Sequence, residues 1–227
     1  MSHLSKSCLL FGFLGLLAFA DDLTKARDAQ DRPSLEKQIA TLRAAAKPAD
    51  AASQYRLALA QSYLAEVAQE LRDKGQVKSA AEAGMDAAKK AIALKPDSAE
   101  YNRLLGTLCG QVIPANVLSG LKYGRCAQDS VTQALKLDPK LAEAHVARGV
   151  GNYYLPSSFG GGVELAIKDF EKAIQLAPKS SDAHLWLGIA LRKAGKNADA
   201  RKALQKALDL NPARIWAKQQ LEKTPAQ

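Results

Sequence analysis

Two histidines and two cysteines are the side chains of this sequence best suited to chemistry once residues 1–20 are set aside. Imidazole can act as a general base or bind a metal, and a thiolate is a nucleophile. His145 and His184 stand at equivalent places of two related segments, which is typical of packing residues. No His-Glu-x-x-His or Gly-x-Ser-x-Gly motif surrounds them. We therefore predict that the protein is not an enzyme and holds no metal and no cofactor.

The two cysteines, Cys109 and Cys126, are too far apart for a redox pair of the Cys-x-x-Cys type. In an oxidising compartment they can form a disulfide, which in the chain-entropy model would stabilise the fold by about 3 kcal/mol. Alternatively, both are small buried apolar residues. The sequence leaves these two interpretations open.

Residues 1–20 have the features of a cleaved export signal. Lys6 provides a positive start, Cys8 to Phe19 is a short apolar run, and Ala18-Phe19-Ala20 is a small-x-small cleavage pattern before Asp21. The run is too short for a permanent transmembrane anchor, and no later stretch could cross a membrane. We predict an exported protein, periplasmic or secreted. An uncleaved amphipathic anchor is the alternative.

The formal net charge of +9 raises the question of an anionic partner. Lysines and arginines are spread along the chain with acidic residues nearby, as at Asp86, Lys89 and Lys90. No basic run with interleaved aromatic residues of the kind that grips single strands is present. We therefore predict solvated helix faces and no nucleic-acid partner.

A repeated ending, Ala-x-x-Leu-x-Pro, gives the organisation of the chain. It occurs at Ala91–Pro96, Ala134–Pro139, Ala173–Pro178 and Ala207–Pro212, with the prolines 43, 39 and 34 residues apart. The apolar residues before each ending recur at helical spacing, and the proline cannot continue the helix. The chain is therefore predicted to be an array of related helical units, which usually serves as a binding surface.

The last unit, Ser181 to Pro212, resembles the tetratricopeptide repeat (TPR), a helix–turn–helix of about 34 residues. The matching positions are Leu187, Gly188, Ala200, Leu204, Ala207 and Pro212. The resemblance implies an all-α fold, a right-handed α-solenoid of antiparallel helix pairs with about four units plus capping helices. The predicted units are 53–96, 99–139, 142–178 and 181–212, within an array at 51–214. Segment 21–50 is predicted to hold an N-terminal capping helix at Pro33 to Ala46. A second capping helix is predicted at Arg214 to Lys223, so that segment 215–227 comprises most of this helix and the C-terminal tail.

The same resemblance implies a concave groove lined by the first helix of each unit. Its predicted lining is Leu57, Gln61, Leu64, Arg103, Thr107, Val146, Val150, Tyr153, Leu185, Ile189 and Arg192. This wall is apolar and aromatic at its centre with arginines on either side, which suits a protein or peptide with an apolar anchor and an acidic end. Alternatively, some of these residues pack against neighbouring helices or under the capping helix.

Two enlarged turns, predicted within consecutive units, offer a second candidate site. They contain Pro114, Gly120, Tyr123 and Gly124, then Pro156, Phe159, Gly160, Gly161 and Gly162. Insertions at equivalent places of stacked repeats project from one edge, and could bind a small molecule for a transport system or pack on each other. They resemble turns in a subgroup of exported bacterial TPR proteins of unassigned role, which implies no activity. Self-association as a structural protein also stays open.

Overall fold

The computed structural model describes residues 22–113 and 117–226, which form eleven α-helices. Helix α1 comprises residues 22–28 of this part of the chain. The others are α2 Arg32–Ala45, α3 Ala51–Glu70, α4 Lys74–Leu94, α5 Ala99–Val112, α6 Val117–Leu137, α7 Ala142–Tyr154, α8 Val163–Leu176, α9 Ser181–Lys193, α10 Asn197–Leu210 and α11 Ile215–Glu222. In this described part no helix is long and apolar enough to cross a lipid bilayer.

Four helix pairs form the body of the molecule: α3 with α4, α5 with α6, α7 with α8, and α9 with α10. The first helices also pack on one another in order, α3 on α5, α5 on α7 and α7 on α9, so that they form a continuous inner layer. This is the α-solenoid of antiparallel helix pairs that the repeated sequence predicts, and that prediction is confirmed.

Side chains just before the helices fix where several of them begin. Asp50 accepts a hydrogen bond from the Ala52 amide at the start of α3, and Asp73 accepts one from the Gln76 amide at the start of α4. Ser98 and Ser180 cap α5 and α9 in the same way. Each cap satisfies an amide that the helix leaves without an internal partner, and is worth about 1 kcal/mol.

Small residues allow the two helices of a unit to approach closely, which explains the Leu-Gly signature. A Cβ atom at Gly188 on α9 would lie 2.5 Å from Leu204 Cγ on α10. At Gly149 on α7 it would lie 2.5 Å from Phe170 Cε1 on α8. Phe170 and Leu204 are fully buried, so these glycines make room for the largest core side chains of the last two units.

Cys109 on α5 and Cys126 on α6 are joined by a disulfide, with an S–S distance of 2.02 Å and Cα atoms 6.0 Å apart. Cys109 is also fully buried, and its sulfur lies 3.2 Å from Met85 Sδ on α4. The bond links the two helices of the second unit across a sequence separation of 17 residues.

The first enlarged turn is much shorter than the sequence suggests. Gly120, Tyr123 and Gly124 lie within α6, which begins at Val117, and Pro114 lies outside the described residues. The Tyr123 hydroxyl donates a hydrogen bond to Glu82 on α4, and so ties the beginning of α6 to the preceding unit. Gly120 and Gly124 predicted a turn, but they are helical because α6 packs along α5 over this stretch.

The second enlarged turn is present as predicted from its glycines. Pro156 precedes a 3-10 turn at Ser157–Phe159, and Gly160 and Gly162 have φ angles of 83° and 118°, which favour glycine. The Gly162 amide donates to the Asn152 carbonyl and closes the loop. Phe159 lies at the tip of this loop and is 75% exposed, so its side chain does not pack against the array.

Candidate functional site

The solenoid curves so far that its first and fourth units approach each other across the inner layer. Arg214, immediately before α11, is fully buried and donates to Glu66 Oε1 on α3 at 2.6 Å and to Glu70 Oε2 at 3.2 Å. Glu70 is itself almost fully buried. One arginine at the end of the array thus binds two carboxylates of its first repeat helix.

Helix α1 lies between these two ends and joins both of them. Arg27 donates to Asp182 Oδ2 on α9 at 2.8 Å, and its guanidinium lies 4.9 Å from the centre of the Tyr63 ring on α3. Asp28 accepts a hydrogen bond from Asn211 at 2.7 Å and lies 3.6 Å from the Arg214 guanidinium. We call the six charged residues of this network the ionic clasp: Arg27, Asp28, Glu66, Glu70, Asp182 and Arg214.

The ionic clasp holds four carboxyl groups against two guanidinium groups, and its pKa values reflect this imbalance. Burial raises the pKa of Glu70 to about 7, with a further contribution from Glu66, while Arg214 opposes the rise. Burial works against ionised Asp182 as well, but Arg27 and Arg214 hold its pKa below its usual value. The pKa values of both arginines stay above their usual value despite burial, because of the surrounding carboxylates.

We expect the stability of the protein to fall as the pH rises from about 4.5 to 7. In this window Glu70 is ionised in the unfolded chain but still protonated in the folded one, so the folded state binds the extra proton. The effect of this group is on the order of 3 kcal/mol. Asp182 acts in the opposite sense, but below its unfolded pKa near 3.8. The measurement is the free energy of unfolding of wild type and Glu70→Gln, obtained with urea at pH 5 and at pH 7.5. The difference between the two proteins isolates the contribution of Glu70, because the other titrating groups are common to both. An equal change in the free energy of unfolding between the two pH values in both proteins would contradict the assignment.

The predicted groove is largely covered in the structure. Gln61, Leu64, Leu185 and Ile189 are buried, and Leu57 is partly buried. Leu23 and Ala26 of α1 belong to the same hydrophobic cluster as Leu64, and α11 packs through Ala217 on the cluster that contains Leu185 and Ile189. The expectation of an open groove along all four units is therefore corrected: α1 and α11 occupy much of that surface.

The remaining predicted groove residues make contacts within the chain. Arg103 donates to Glu100 and to Thr107, and the Tyr55 hydroxyl donates to Glu100 as well. Arg192 donates to the Gln220 side chain at 2.7 Å, which anchors α11. Val146, Val150 and Tyr153 are partly buried and pack against the hydrophobic cluster of the last two units.

One part of the inner layer stays open, as a cleft of about 210 Å³ between α3, α7, α9 and α11. Its walls include Tyr154, Trp186 and Trp216, with Trp186 and Trp216 in edge-to-face contact at 5.2 Å between ring centres. We call it the aromatic cleft. Its lining residues are Glu66, Gln69, Glu70, Arg72, Tyr154, Trp186, Trp216, Gln220 and Lys223.

The charges of the aromatic cleft are unequally available to a partner. Glu66 and Glu70 are bound by Arg214, whereas Arg72 and Lys223 are exposed and form no ion pair among the described residues. Arg72 follows the end of α3 with a positive φ of 63°, a conformation that costs a non-glycine residue about 1–2 kcal/mol. The aromatic cleft therefore combines aromatic walls with two positive charges that form no ion pair within the described part of the chain.

Sequence reasoning placed Tyr153 at the centre of the site, but its neighbour Tyr154 lines the aromatic cleft. Trp216 and Arg214 fall within the predicted capping helix at Arg214 to Lys223, but no site role was predicted for either of them or for Trp186. The signal for Trp186 was its place three residues before Ile189, on the same face of a first helix. Arg214 carried no such signal, because its partners lie 144 and 148 residues earlier in the chain.

The helix pairs and their inner layer define a TPR protein, and a family model described as tetratricopeptide repeat matches residues 160–215. A second family model, described as regulator of microtubule dynamics protein 1-3, matches residues 16–155, which is more than half of the chain. The chain belongs to this family.

The chain is also similar to two individual proteins. It is 27% identical to regulator of microtubule dynamics protein 3 from Bos taurus over 177 residues, 69% of this chain and 36% of the relative. It thus spans about a third of that relative's length. The crystal structure of a thermophilic TPR protein from Thermus thermophilus, TTC0263, superposes with a TM-score of 0.58 at 17% identity, covering 94% of this chain and 96% of that one. That similarity shows the fold alone.

Proposed function

We propose that this protein is a scaffold that binds a segment of another protein in the aromatic cleft. The observation that carries the proposal is a cleft with three aromatic side chains and two positive charges left unpaired by the described residues, on the inner layer of the array. Aromatic residues and arginine dominate the binding energy of most protein interfaces. The name of the bovine relative, a regulator of microtubule dynamics, supports a partner that is itself a protein.

The chemistry of the aromatic cleft favours a segment with an apolar or aromatic anchor next to acidic residues. The anchor would pack on Trp186 and Trp216, and its acidic neighbours would pair with Arg72 and Lys223. Exposed charge pairs of this kind act mainly on association rate and specificity, and their contribution falls with salt. Binding is therefore expected to weaken as ionic strength rises.

Export of the protein is part of the proposal and rests on the sequence of residues 1–20. We propose that the signal is removed after Ala20 and that the scaffold acts in the cell envelope or outside the cell. Sequencing the N-terminus of the protein recovered from its source should give Asp21 as the first residue. A chain that still begins at Met1 would contradict cleavage.

Reversing the two free charges of the aromatic cleft should disrupt partner binding without unfolding the protein. The partner is first identified by cross-linking from a photoreactive residue at position 69, which lines the aromatic cleft and leaves Arg72 and Lys223 in place. The double variant Arg72→Glu and Lys223→Glu should then bind it at least about tenfold more weakly, the equivalent of 1.4 kcal/mol. Lys78→Glu with Lys89→Glu is the matched control, since these lysines are exposed on α4 and the change in net charge is the same.

Equal binding by the two double variants would contradict the proposed pairing of the partner with Arg72 and Lys223. A small molecule that binds at the turn around Phe159, rather than in the aromatic cleft, would instead support the alternative function, a small-ligand accessory protein for a transport system. Phe159 is exposed and does not line the aromatic cleft, so the two sites are distinguishable in one titration.

A further inference from the structure

Large hydrophobic side chains that face solvent are concentrated at the turns inside the first and third units. Among the described residues, these two turns and the helix ends beside them hold five of the eight such side chains: Leu71, Tyr154, Leu155, Phe159 and Leu165. The first follows the end of α3, and the others lie at the end of α7, in the second enlarged turn and at the start of α8. Exposed apolar side chains that cluster in this way mark a surface that binds a partner.

Side-chain contacts join the turns of the first, third and fourth units into one surface. The Gln69 side chain near the end of α3 donates to the Tyr154 hydroxyl at the end of α7, at 3.2 Å. The turn after α9 is joined to the start of α8 by an ion pair between Lys196 and Glu164, at 3.6 Å. We call the surface formed by residues 71–74, 154–165 and 193–197 the turn patch.

The second enlarged turn holds Phe159 in solvent on a fixed backbone. Four consecutive amides, those of residues 159–162, donate to carbonyl groups within the turn or in α7. Gly161 is buried and leaves no room for a Cβ atom against the Leu155 carbonyl, so the turn is compact. Phe159 is nevertheless 75% exposed. Because the turn is already ordered, binding through this ring carries little further cost in backbone entropy.

The charge of the turn patch is positive on balance. Residues 149–163 carry no charged side chain. The two acidic residues of the patch are already paired, Asp73 with Arg32 and Glu164 with Lys196. Three basic residues of the patch form no ion pair within the described part of the chain: Arg72, Lys74 and Lys193. An apolar surface bordered by unpaired cations is complementary to an anionic lipid bilayer, whereas a second copy of the chain would bring like charges together.

We propose that the turn patch attaches the protein to the surface of an anionic lipid bilayer. Phe159 and Leu155 would enter the boundary between headgroups and acyl chains, where aromatic rings are favoured, and Lys74 and Lys193 would lie against the lipid phosphates. This attachment is peripheral and needs no membrane-spanning helix. It goes beyond the proposed function, and its test does not require the partner of the aromatic cleft.

The test is co-sedimentation of the protein with vesicles of phosphatidylcholine, with and without phosphatidylglycerol. The chain used begins at Asp21, because the apolar run within residues 1–20 would itself bind lipid, and it contains every described helix. Binding to the anionic vesicles should be at least about tenfold tighter than binding to the neutral ones, and should weaken as ionic strength rises. Equal binding to the two kinds of vesicle, or no binding to the anionic ones, would overturn the proposal.

The double variant Leu155→Ser and Phe159→Ser should bind the anionic vesicles at least about tenfold more weakly, because two apolar side chains no longer leave water on binding. Leu94→Ser with Leu137→Ser is the matched control. These leucines are 45% and 37% exposed, and they lie at the ends of α4 and α6, on the opposite edge of the array. Equal losses in the two double variants, or a loss in neither, would also overturn the proposal.

Cross-linking to lipid keeps the proposal testable if the double variant in the turn patch does not fold. A photoreactive phenylalanine analogue in place of Phe159 should form adducts with lipid on anionic vesicles, and a photoreactive residue in place of Leu94 should not. Lipid adducts at both positions or at neither would overturn the proposal. Adducts from position 159 to a second copy of the chain, instead of to lipid, would assign the turn patch to self-association and overturn it as well.

Discussion

Replacing Arg214 with alanine should lower the free energy of unfolding by about 3–5 kcal/mol. The guanidinium is fully buried and binds Glu66 and Glu70 directly, with Asp28 nearby. Removing it leaves the almost fully buried Glu70 and the partly buried Glu66 without their counter-charge, and the desolvation penalty of an unpaired, largely buried carboxylate is large. For a domain of this size, the loss corresponds to a fall of about 10 °C in Tm.

Arg125→Ala is the matched control for Arg214→Ala. Arg125 forms an ion pair with Asp129 on α6, but its side chain is 91% exposed, and surface pairs of this kind contribute about 0–1 kcal/mol. Thermal unfolding of the three proteins is the measurement. A Tm for Arg214→Ala within one or two degrees of the control would show that the ionic clasp does not hold the two ends of the array together.

Replacing Phe170 with alanine should cost about 3–5 kcal/mol, because a fully buried aromatic side chain is removed and a cavity remains. Its ring fills the space left by Gly149 and stacks on Trp186, with 6.1 Å between ring centres. The loss should therefore also loosen Trp186, and with it one wall of the aromatic cleft. Chemical denaturation gives the first effect, and partner affinity under native conditions gives the second.

Phe159→Ala serves as the control for Phe170→Ala, since the same side chain is removed from a site that is 75% exposed. Its effect on stability should stay within about 0.5 kcal/mol, as for most surface substitutions. If the two variants lose equal stability, the packing assigned to Phe170 is wrong. If Phe170→Ala is destabilised but binds the partner with unchanged affinity, Trp186 is not positioned by Phe170.

The helical array could be predicted because its determinants are local in the sequence. Gly188, Ala200 and Leu204 recur at fixed spacing and meet within one helix pair, and each proline falls just after a helix end. The second enlarged turn was predictable for the same reason, from the positive φ that Gly160 and Gly162 supply. Gly120 and Gly124 misled the prediction because a helix tolerates glycine where the neighbouring helix stabilises it.

The candidate site could not be predicted to the same extent, because it depends on how far the solenoid curves. Arg27 and Asp182 are 155 residues apart, and no periodic pattern links them. The predicted groove residues all lie on the first helices α3, α5, α7 and α9, but whether a groove is open there depends on α1 and α11. Residues 22–28 have no repeat signature and follow a predicted export signal, so no sequence pattern places them inside the array.

Intrinsic fluorescence offers the most direct measurement of the central claim, that the partner binds in the aromatic cleft. The sequence contains two tryptophans, Trp186 and Trp216, and both line that cleft. A tryptophan-free segment of the cross-linked partner should therefore shift the emission of the wild-type protein and reduce its quenching by acrylamide. Unchanged emission and quenching at saturating partner would contradict the claim.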